Sequence, residues 1–175
     1  MNTNLRPELE QRVWQRLRRW SANPFAELAG KSLAAMAVGF VLWSMNCFDG
    51  EQFALCGKTI TGVRRNILQE LLPMLEGMGF RCEEQRSRNT IQVRLGGRRN
   101  TFYLFGGKDE GSAALIQGIT LAGVLLDEVA LMPRSFVEQA CARCSVAGSR
   151  LWFNCNPAGP EHWFYKTWIL EAEKR

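Results

Sequence analysis

The chain has 175 residues and a formal net charge of +5, and 46% of its residues are hydrophobic. That length suits about one domain with a real core, and the composition excludes a disordered chain. Residues 1–20 carry five arginines and two glutamates, so much of the positive charge belongs to the N-terminal segment. Overall charge is therefore a poor argument that the core binds nucleic acid.

Six cysteines are scattered along the chain and no signal-peptide pattern is present. This usage favours a reducing cytoplasm over a disulfide framework. The longest apolar run, Leu33–Trp43, is too short to span a bilayer, so no membrane contact is expected. Cys141 and Cys144, with Cys155 and His162 downstream, form a weak candidate for a zinc site. Buried thiols are the alternative that the spacing favours.

The segment from 1 to 22 is predicted to be a basic helical arm. Leu9, Val13, Leu17 and Trp20 recur at helical spacing, and arginines cover much of the remaining surface. The arm is either a solvated amphipathic helix or a helix that contacts DNA or docks on a partner. Residues 23–175 are predicted to form the folded domain.

Gly30, Lys31 and Ser32 precede the apolar run Leu33–Met45, which is predicted to be a buried helix. A Gly-Lys-Ser that opens a buried helix is typical of the end of a phosphate-binding loop, whose backbone N–H groups hold anionic oxygens. In that interpretation Lys31 reaches the terminal phosphates of a nucleotide and Ser32 ligates magnesium. The tripeptide is common, so chance is the alternative.

The residues before Gly30 depart from the phosphate-loop pattern. Phe25 stands where the loop needs another glycine, and no clear strand precedes it. Ala26–Ala29 favours a helix. We therefore expect the helix to continue through Gly30 and the cradle for the phosphates to be incomplete.

The middle of the chain predicts two short strands and a long helix. Gln52–Cys56 and Phe80–Glu83 are the strand candidates. Gly62–Met78 has the apolar period of a helix, with a kink expected at Pro73. Arg64 and Arg65 in its first turn are either phosphate contacts or ordinary surface residues.

A β-hairpin is predicted next. Thr90–Leu95 alternates apolar and polar residues, Gly96–Asn100 turns the chain, and Thr101–Phe105 returns. Gly106–Gln117 is expected to be a loop with a short helix. The pattern indicates antiparallel strands added to a parallel sheet.

Two carboxylates end the apolar stretch Leu121–Glu128. The stretch suits a strand buried on both faces of a parallel sheet, and ligands of such sheets collect at the carboxyl ends of the strands. There Asp127 would hold a magnesium ion and Glu128 would orient and deprotonate an attacking water. The alternative is a strand followed by two solvated acids.

Arg150–Asn154 predicts another apolar strand that ends in polar groups. Asn154 or Asn156 would sense the terminal phosphate and couple hydrolysis to motion, unless the segment is an ordinary Asn-Pro turn. A helix is predicted from Pro133 to about Ser145. The aromatic-rich Trp163–Leu170 is expected to form a helix that packs on the core.

With these segments in place, the sequence resembles the ATPase half of the terminase large subunits of tailed bacteriophages and prophages, the PBSX-like branch in particular. The resemblance begins at about Leu33. It rests on the order of five short segments: Phe53–Thr59, Phe102–Glu110, Ile116–Ile119, Val124–Ala130 and Trp152–Pro157. That family packages genomic DNA into capsids by hydrolysing ATP.

The fold expected is α/β of the P-loop NTPase type, a mostly parallel sheet flanked by helices with an antiparallel hairpin added. The resemblance implies ATP as substrate and Mg²⁺ as cofactor. It assigns Glu128 as catalytic base and Asp127 as the acid of the magnesium site. Its further assignments are nucleotide binding by Gly30, Lys31 and Ser32, magnesium binding also by Ser32, and coupling by Asn154 and Asn156.

The resemblance also implies partners and a setting. These are double-stranded DNA, a terminase small subunit, a portal protein and a homo-oligomeric ring, in the cytoplasm of the bacterial host. An arginine that acts on the γ-phosphate is expected, and Arg64, Arg65, Arg98 and Arg99 are equal candidates.

The nuclease domain of the family is not recognisable, since only one acidic metal site is visible in the sequence. Two other functions stay open. One is an inactive prophage remnant with a defective phosphate loop. The other is a non-enzymatic nucleic-acid-binding module.

Overall fold

The computed structural model describes residues 28–155, 159 and 161–170, with the backbone alone at 28–32. The predicted arm at 1–22, Phe25 and Asn156 lie outside the described residues.

The described strands form one six-stranded sheet. Its strands in chain order are β1 (Gln52–Gly57), β2 (Arg81–Gln85), β3 (Thr90–Leu95), β4 (Arg98–Gly106), β5 (Gly123–Asp127) and β6 (Arg150–Asn154). The order across the sheet is β2-β3-β4-β1-β5-β6. β5 pairs with β1 and β6 in parallel, and β3 pairs with β2 and β4 antiparallel. This arrangement confirms the α/β fold with a mostly parallel sheet and an added hairpin.

The helices are α1 (Leu28–Cys47), α2 (Ile60–Val63), α3 (Gln69–Gly77) and α4 (Arg134–Ala142). π-helical turns lie at Arg64–Leu68 and Tyr165–Ile169, and 3₁₀ turns lie at Arg86–Arg88, Glu110–Ile116 and Val129–Leu131. Within the residues described, no helix is long and apolar enough to cross a membrane.

The chain divides into two compact units. The first contains residues 28–52 and 64–103, and its core is the predicted buried helix α1 with α3 and the hairpin. Phe40 of α1 is fully buried and meets Phe102 of β4 edge to face, with 6.1 Å between ring centroids. Such aromatic pairs add about 0.5–1.5 kcal/mol to the burial of their area.

The end of α1 is tied to β4 by two side chains. Asn100 Nδ2 donates to the carbonyls of Ser44 and Phe48, each at 3.1 Å. Arg98 donates to the carbonyls of Met45 at 3.0 Å and Asn46 at 2.5 Å. The bonds from Arg98 supply partners to the Met45 and Asn46 carbonyls, which belong to the last turn of the helix, where carbonyls lack intrahelical partners.

The second unit contains residues 53–63 and 104–170. β5 is buried along its whole length, as expected for a strand covered on both faces. Phe136, Val137 and Ala140 of α4 are buried in the same unit. Phe164, in the predicted C-terminal helix, packs on Phe153 of β6 with ring centroids 5.3 Å apart.

Several predicted boundaries were wrong, among them that of the strand expected at Phe80–Glu83, which runs from Arg81 to Gln85. The hairpin turn is only Gly96–Gly97, because Arg98 already pairs with Leu95. The helix predicted from Gly62 begins at Ile60 and contains a wide π-helical turn at Arg64–Leu68. The kink expected at Pro73 stays a prediction. α4 ends at Ala142, three residues earlier than expected.

Candidate active site at the ends of the parallel strands

The carboxyl ends of three neighbouring strands meet at one edge of the second unit. β1, β5 and β6 run parallel, with Cys56 beside Leu126 and Asp127 beside Asn154. Gly57, Asp127 and Asn154 are the last residues of their strands. This edge is where open α/β sheets bind ligands.

Asp127 is a buried carboxylate whose partner is a neutral side chain. It is 4% exposed, and Asn154 Nδ2 donates to its Oδ1 at 2.7 Å. In the described parts of the chain, no cationic side chain forms an ion pair with it. A buried carboxylate needs compensating charge, so the site fits a divalent cation with oxygen ligands.

Glu128 has left-handed backbone angles, with φ 53° and ψ 44°, and its side chain is exposed. A residue with a Cβ in this conformation costs about 1–2 kcal/mol. Such outliers persist where the surrounding structure fixes them, and they cluster at functional sites. Here the neighbouring backbone holds the turn, because the N–H of Leu131 donates to the Glu128 carbonyl at 2.8 Å.

The loop after β1 is a feature that sequence reasoning left without a role. Lys58 is exposed, and Thr59 Oγ1 accepts the N–H of Gly62 at 3.0 Å, which caps the helix that starts at Ile60. A Cβ at Gly57 would lie 2.7 Å from Val63 Cγ2, so glycine is required there. The order of these features, a strand, then Gly-Lys-Thr, then a helix capped by Thr59, was visible in the sequence and could have drawn attention to this loop.

A family model described as "Terminase large subunit, T4likevirus-type, N-terminal" matches residues 49–175, which is more than half of the chain. The chain belongs to this terminase family. No curated protein sequence is significantly similar to it.

Solved structures agree with the family. A large terminase from a thermophilic bacteriophage is 44% identical with a TM-score of 0.79, over 93% of this chain and 43% of that one. The same terminase in complex with ADP is 40% identical with a TM-score of 0.81, over 93% and 42%. The chain thus spans less than half the length of these terminases.

A more distant structure shares the fold. The large terminase ATPase domain of Thermus phage P74-26 is 19% identical, with a TM-score of 0.57, over 81% of this chain and 59% of that one. The family model and the terminase structures that are 40–44% identical confirm the resemblance to phage terminase large subunits predicted from the sequence.

Gly30, Lys31 and Ser32 of the terminase chain lie in the first turns of α1, in the first unit. The helix runs through Gly30, as expected from Ala26–Ala29. Their role in nucleotide binding stays a prediction, and so do the roles of Asp127, Glu128 and Asn154.

The side chains of three of the four candidate arginines have hydrogen-bond partners in the described part of the protein, and the partner of Arg65 is the adjacent Asn66, whose Oδ1 accepts from Arg65 Nε at 3.1 Å. Arg64 Nε pairs with Glu84 at 2.8 Å, and its Nη2 donates to Asn89 Oδ1 at 2.9 Å. Arg98 caps α1 as described. Arg65 and Arg99 are exposed, which leaves them as the better candidates for reaching a ligand.

The cysteine motif lacks the features of a zinc site. No group of three or more His, Cys, Asp or Glu side chains that could hold a metal ion occurs in the described residues. Burial raises the pKa of Cys141 to about 11 and that of Cys144 to about 12, with Glu138 and Cys141 respectively adding to the effect. Both residues therefore behave as buried thiols, which is the alternative that the sequence favoured.

Proposed function

We propose that this chain is the ATP-hydrolysing part of a phage DNA-packaging motor. The observation that carries the proposal is the strand-end site: buried Asp127, held by Asn154, beside the exposed and strained Glu128. Terminases at least 40% identical to the chain have been solved with ADP and with ATP-γ-S, which supports a nucleotide as the ligand.

Glu128 acts as the base in the proposed reaction. Its side chain reaches solvent from the end of a buried strand, so it can orient a water in line with the γ-phosphate and accept a proton from it. The left-handed turn at Glu128 gives it this position, since the preceding residues of β5 are buried.

In the proposed reaction Asp127 would hold Mg²⁺ at the strand end, and Ser32 keeps the magnesium-binding role that the resemblance assigns to it. When bound, the ion neutralises charge on the β- and γ-phosphates. Asp127 suits this role because its carboxylate is buried and has a neutral partner in Asn154. Lys31 would balance further negative charge on the terminal phosphates.

Asn154 links this carboxylate to β6. Because its amide donates directly to Asp127, a change at the terminal phosphate would reach β6 and the following Asn156 through one hydrogen bond. This hydrogen bond is the physical basis of the coupling role that we propose for Asn154 and Asn156.

The proposal includes the setting of a packaging motor. Family membership supports DNA and packaging proteins as partners in general. We propose that these are double-stranded DNA, a terminase small subunit and a portal protein, and that the chain works in a homo-oligomeric ring in the host cytoplasm. An exposed arginine, Arg65 or Arg99, would act on the γ-phosphate of the same or a neighbouring subunit.

Removal of the buried carboxylate tests the proposal. Asp127→Asn keeps the side-chain shape but loses the metal-binding charge, so magnesium-dependent ATP hydrolysis should fall about a hundredfold or more at millimolar ATP. Glu70→Gln, at an exposed carboxylate of α3, is the matched control and should leave the rate unchanged. Equal magnesium-dependent rates in Asp127→Asn and the unmodified chain would contradict the proposal.

A further inference from the structure

The first unit carries a groove that is lined mainly by glycines and basic residues. Its volume is about 660 Å³, and four glycines lie among its lining residues. The charged residues that line it are Arg81, Arg94, Arg98, Arg99 and Asp49. We call it the arginine groove.

Three of these arginines form a row across the hairpin. Arg81 of β2 lies directly opposite Arg94 of β3, and Arg94 lies directly opposite Arg99 of β4. Directly opposed residues share a face of the sheet, and neighbouring strands are about 4.8 Å apart. The row therefore spans about 10 Å with its charges on one side. We call it the arginine row.

The row opposes stability. Like charges directly opposite each other on adjacent strands are destabilising. The compensation is small, because Arg94 meets Glu83 only at 3.5 Å and both side chains are about half exposed. Elsewhere in the described residues, no carboxylate forms an ion pair with Arg81 or Arg99. Folding alone gives no reason for this row.

The other two charged groups of the groove have structural roles. Arg98 caps the carbonyls at the end of α1. Asp49 Oδ1 accepts the backbone N–H of Arg99 at 2.9 Å, so this carboxylate serves the entry into β4. The arginine row is thus the part of the groove that is left to bind a ligand.

We propose that the arginine groove binds the sugar–phosphate backbone of double-stranded DNA. Guanidinium groups suit phosphates because they offer paired donors in a planar fork. Three evenly spaced arginines in a line fit a ligand whose charges repeat along a line, as those of a sugar–phosphate backbone do. All residues that line the groove belong to the first unit. The choice of duplex DNA as the ligand rests on the proposed packaging function.

Salt dependence of DNA binding tests the groove. Fluorescence anisotropy with a labelled duplex of random sequence gives the affinity of the full chain from 50 to 200 mM salt. Each neutralised phosphate contributes about 0.9 to the slope of log affinity against log salt, so three contribute about 2.7. The unmodified chain should then lose about forty times more affinity over this range than the triple variant Arg81→Gln, Arg94→Gln, Arg99→Gln.

A charge-matched control separates a site from general attraction. The triple variant Arg88→Gln, Arg134→Gln, Lys166→Gln removes the same charge from exposed residues outside the groove. It should keep a slope within about one of the unmodified value. The Tm of the row variant should be unchanged or higher, because repulsion across the hairpin is removed, so a loss of binding would not reflect unfolding.

Three results would overturn the proposal. These are equal slopes for the two triple variants, a row variant that binds like the unmodified chain, and competition by polyglutamate or inorganic phosphate as strong as competition by unlabelled duplex at equal charge. ATP hydrolysis by the unmodified chain and by Asp127→Asn, neither of which changes the arginine row, tests the strand-end site separately. Equal hydrolysis rates in these two chains, together with an intact slope difference, would reject the proposed function and leave the groove in place.

Discussion

Glu128 combines an exposed carboxylate with a backbone conformation that disfavours it. The apolar run before it made the position of Asp127 and Glu128 predictable from the sequence. The left-handed turn at Glu128 was not, because no glycine or asparagine marks it. The bond between Asn154 and Asp127 also escaped prediction, since it depends on the register of two strands 27 residues apart in the chain.

The strain at Glu128 predicts that the protein becomes more stable when the Cβ of this residue is removed. Glu128→Gly relieves about 1–2 kcal/mol of strain in the left-handed backbone conformation. The greater freedom of glycine in the unfolded chain lowers the free energy of unfolding by about 0.5–1 kcal/mol. The free energy of unfolding in urea should therefore rise by roughly 0.5–1 kcal/mol. Glu128→Ala keeps the Cβ and should give no gain. Equal stabilities of the two variants would show that Glu128 is not strained.

The helices and strands were largely predictable because their periods are clear, and the errors lie at their ends. Polar residues made Arg98–Asn100 resemble a turn, but tertiary contacts keep them in β4: Arg98 and Asn100 bind the end of α1. Likewise Gly96 and Gly97 alone supply the positive φ angles of a two-residue hairpin loop, at 58° and 88°.

The cap on α1 predicts different effects for two adjacent arginines. Arg98→Met removes charged hydrogen bonds to the carbonyls at the end of the helix and should lower the free energy of unfolding by about 1–3 kcal/mol. Arg99→Met changes an exposed side chain and should stay within about 0.5 kcal/mol. Urea denaturation of both variants checks this. If Arg98→Met leaves stability intact but abolishes ATP hydrolysis, Arg98 acts on the nucleotide and not on the helix.

At the scale of the whole molecule, family and fold were readable from the order of short segments. A complete phosphate-binding loop could not be recognised in the sequence, because Phe25 and the helix-favouring residues before Gly30 replace the expected glycine-rich loop. In the structure α1 already runs from Leu28 through Gly30. A helix directs its backbone N–H groups along its own axis, so fewer of them can converge on the β- and γ-phosphates.

Weak ATP binding by the isolated chain follows from this loop. A point charge at Lys31 cannot replace several backbone N–H groups. Substitution of residues 23–29 by a strand and a glycine-rich loop should strengthen ATP binding more than tenfold, which is about 1.4 kcal/mol. Calorimetric titration of both chains gives the comparison. Micromolar affinity of the unmodified chain would show that its loop is competent as it stands.

The end of β5 is the proposed site of ATP hydrolysis. The most direct measurement is the rate of phosphate release at millimolar magnesium-ATP, so that weak binding does not limit it, for the unmodified chain and Glu128→Gln. The glutamine has nearly the same shape but cannot accept the proton, so the rate should fall by about a hundredfold or more while ATP affinity stays the same. Equal rates of phosphate release in the two chains would contradict the account.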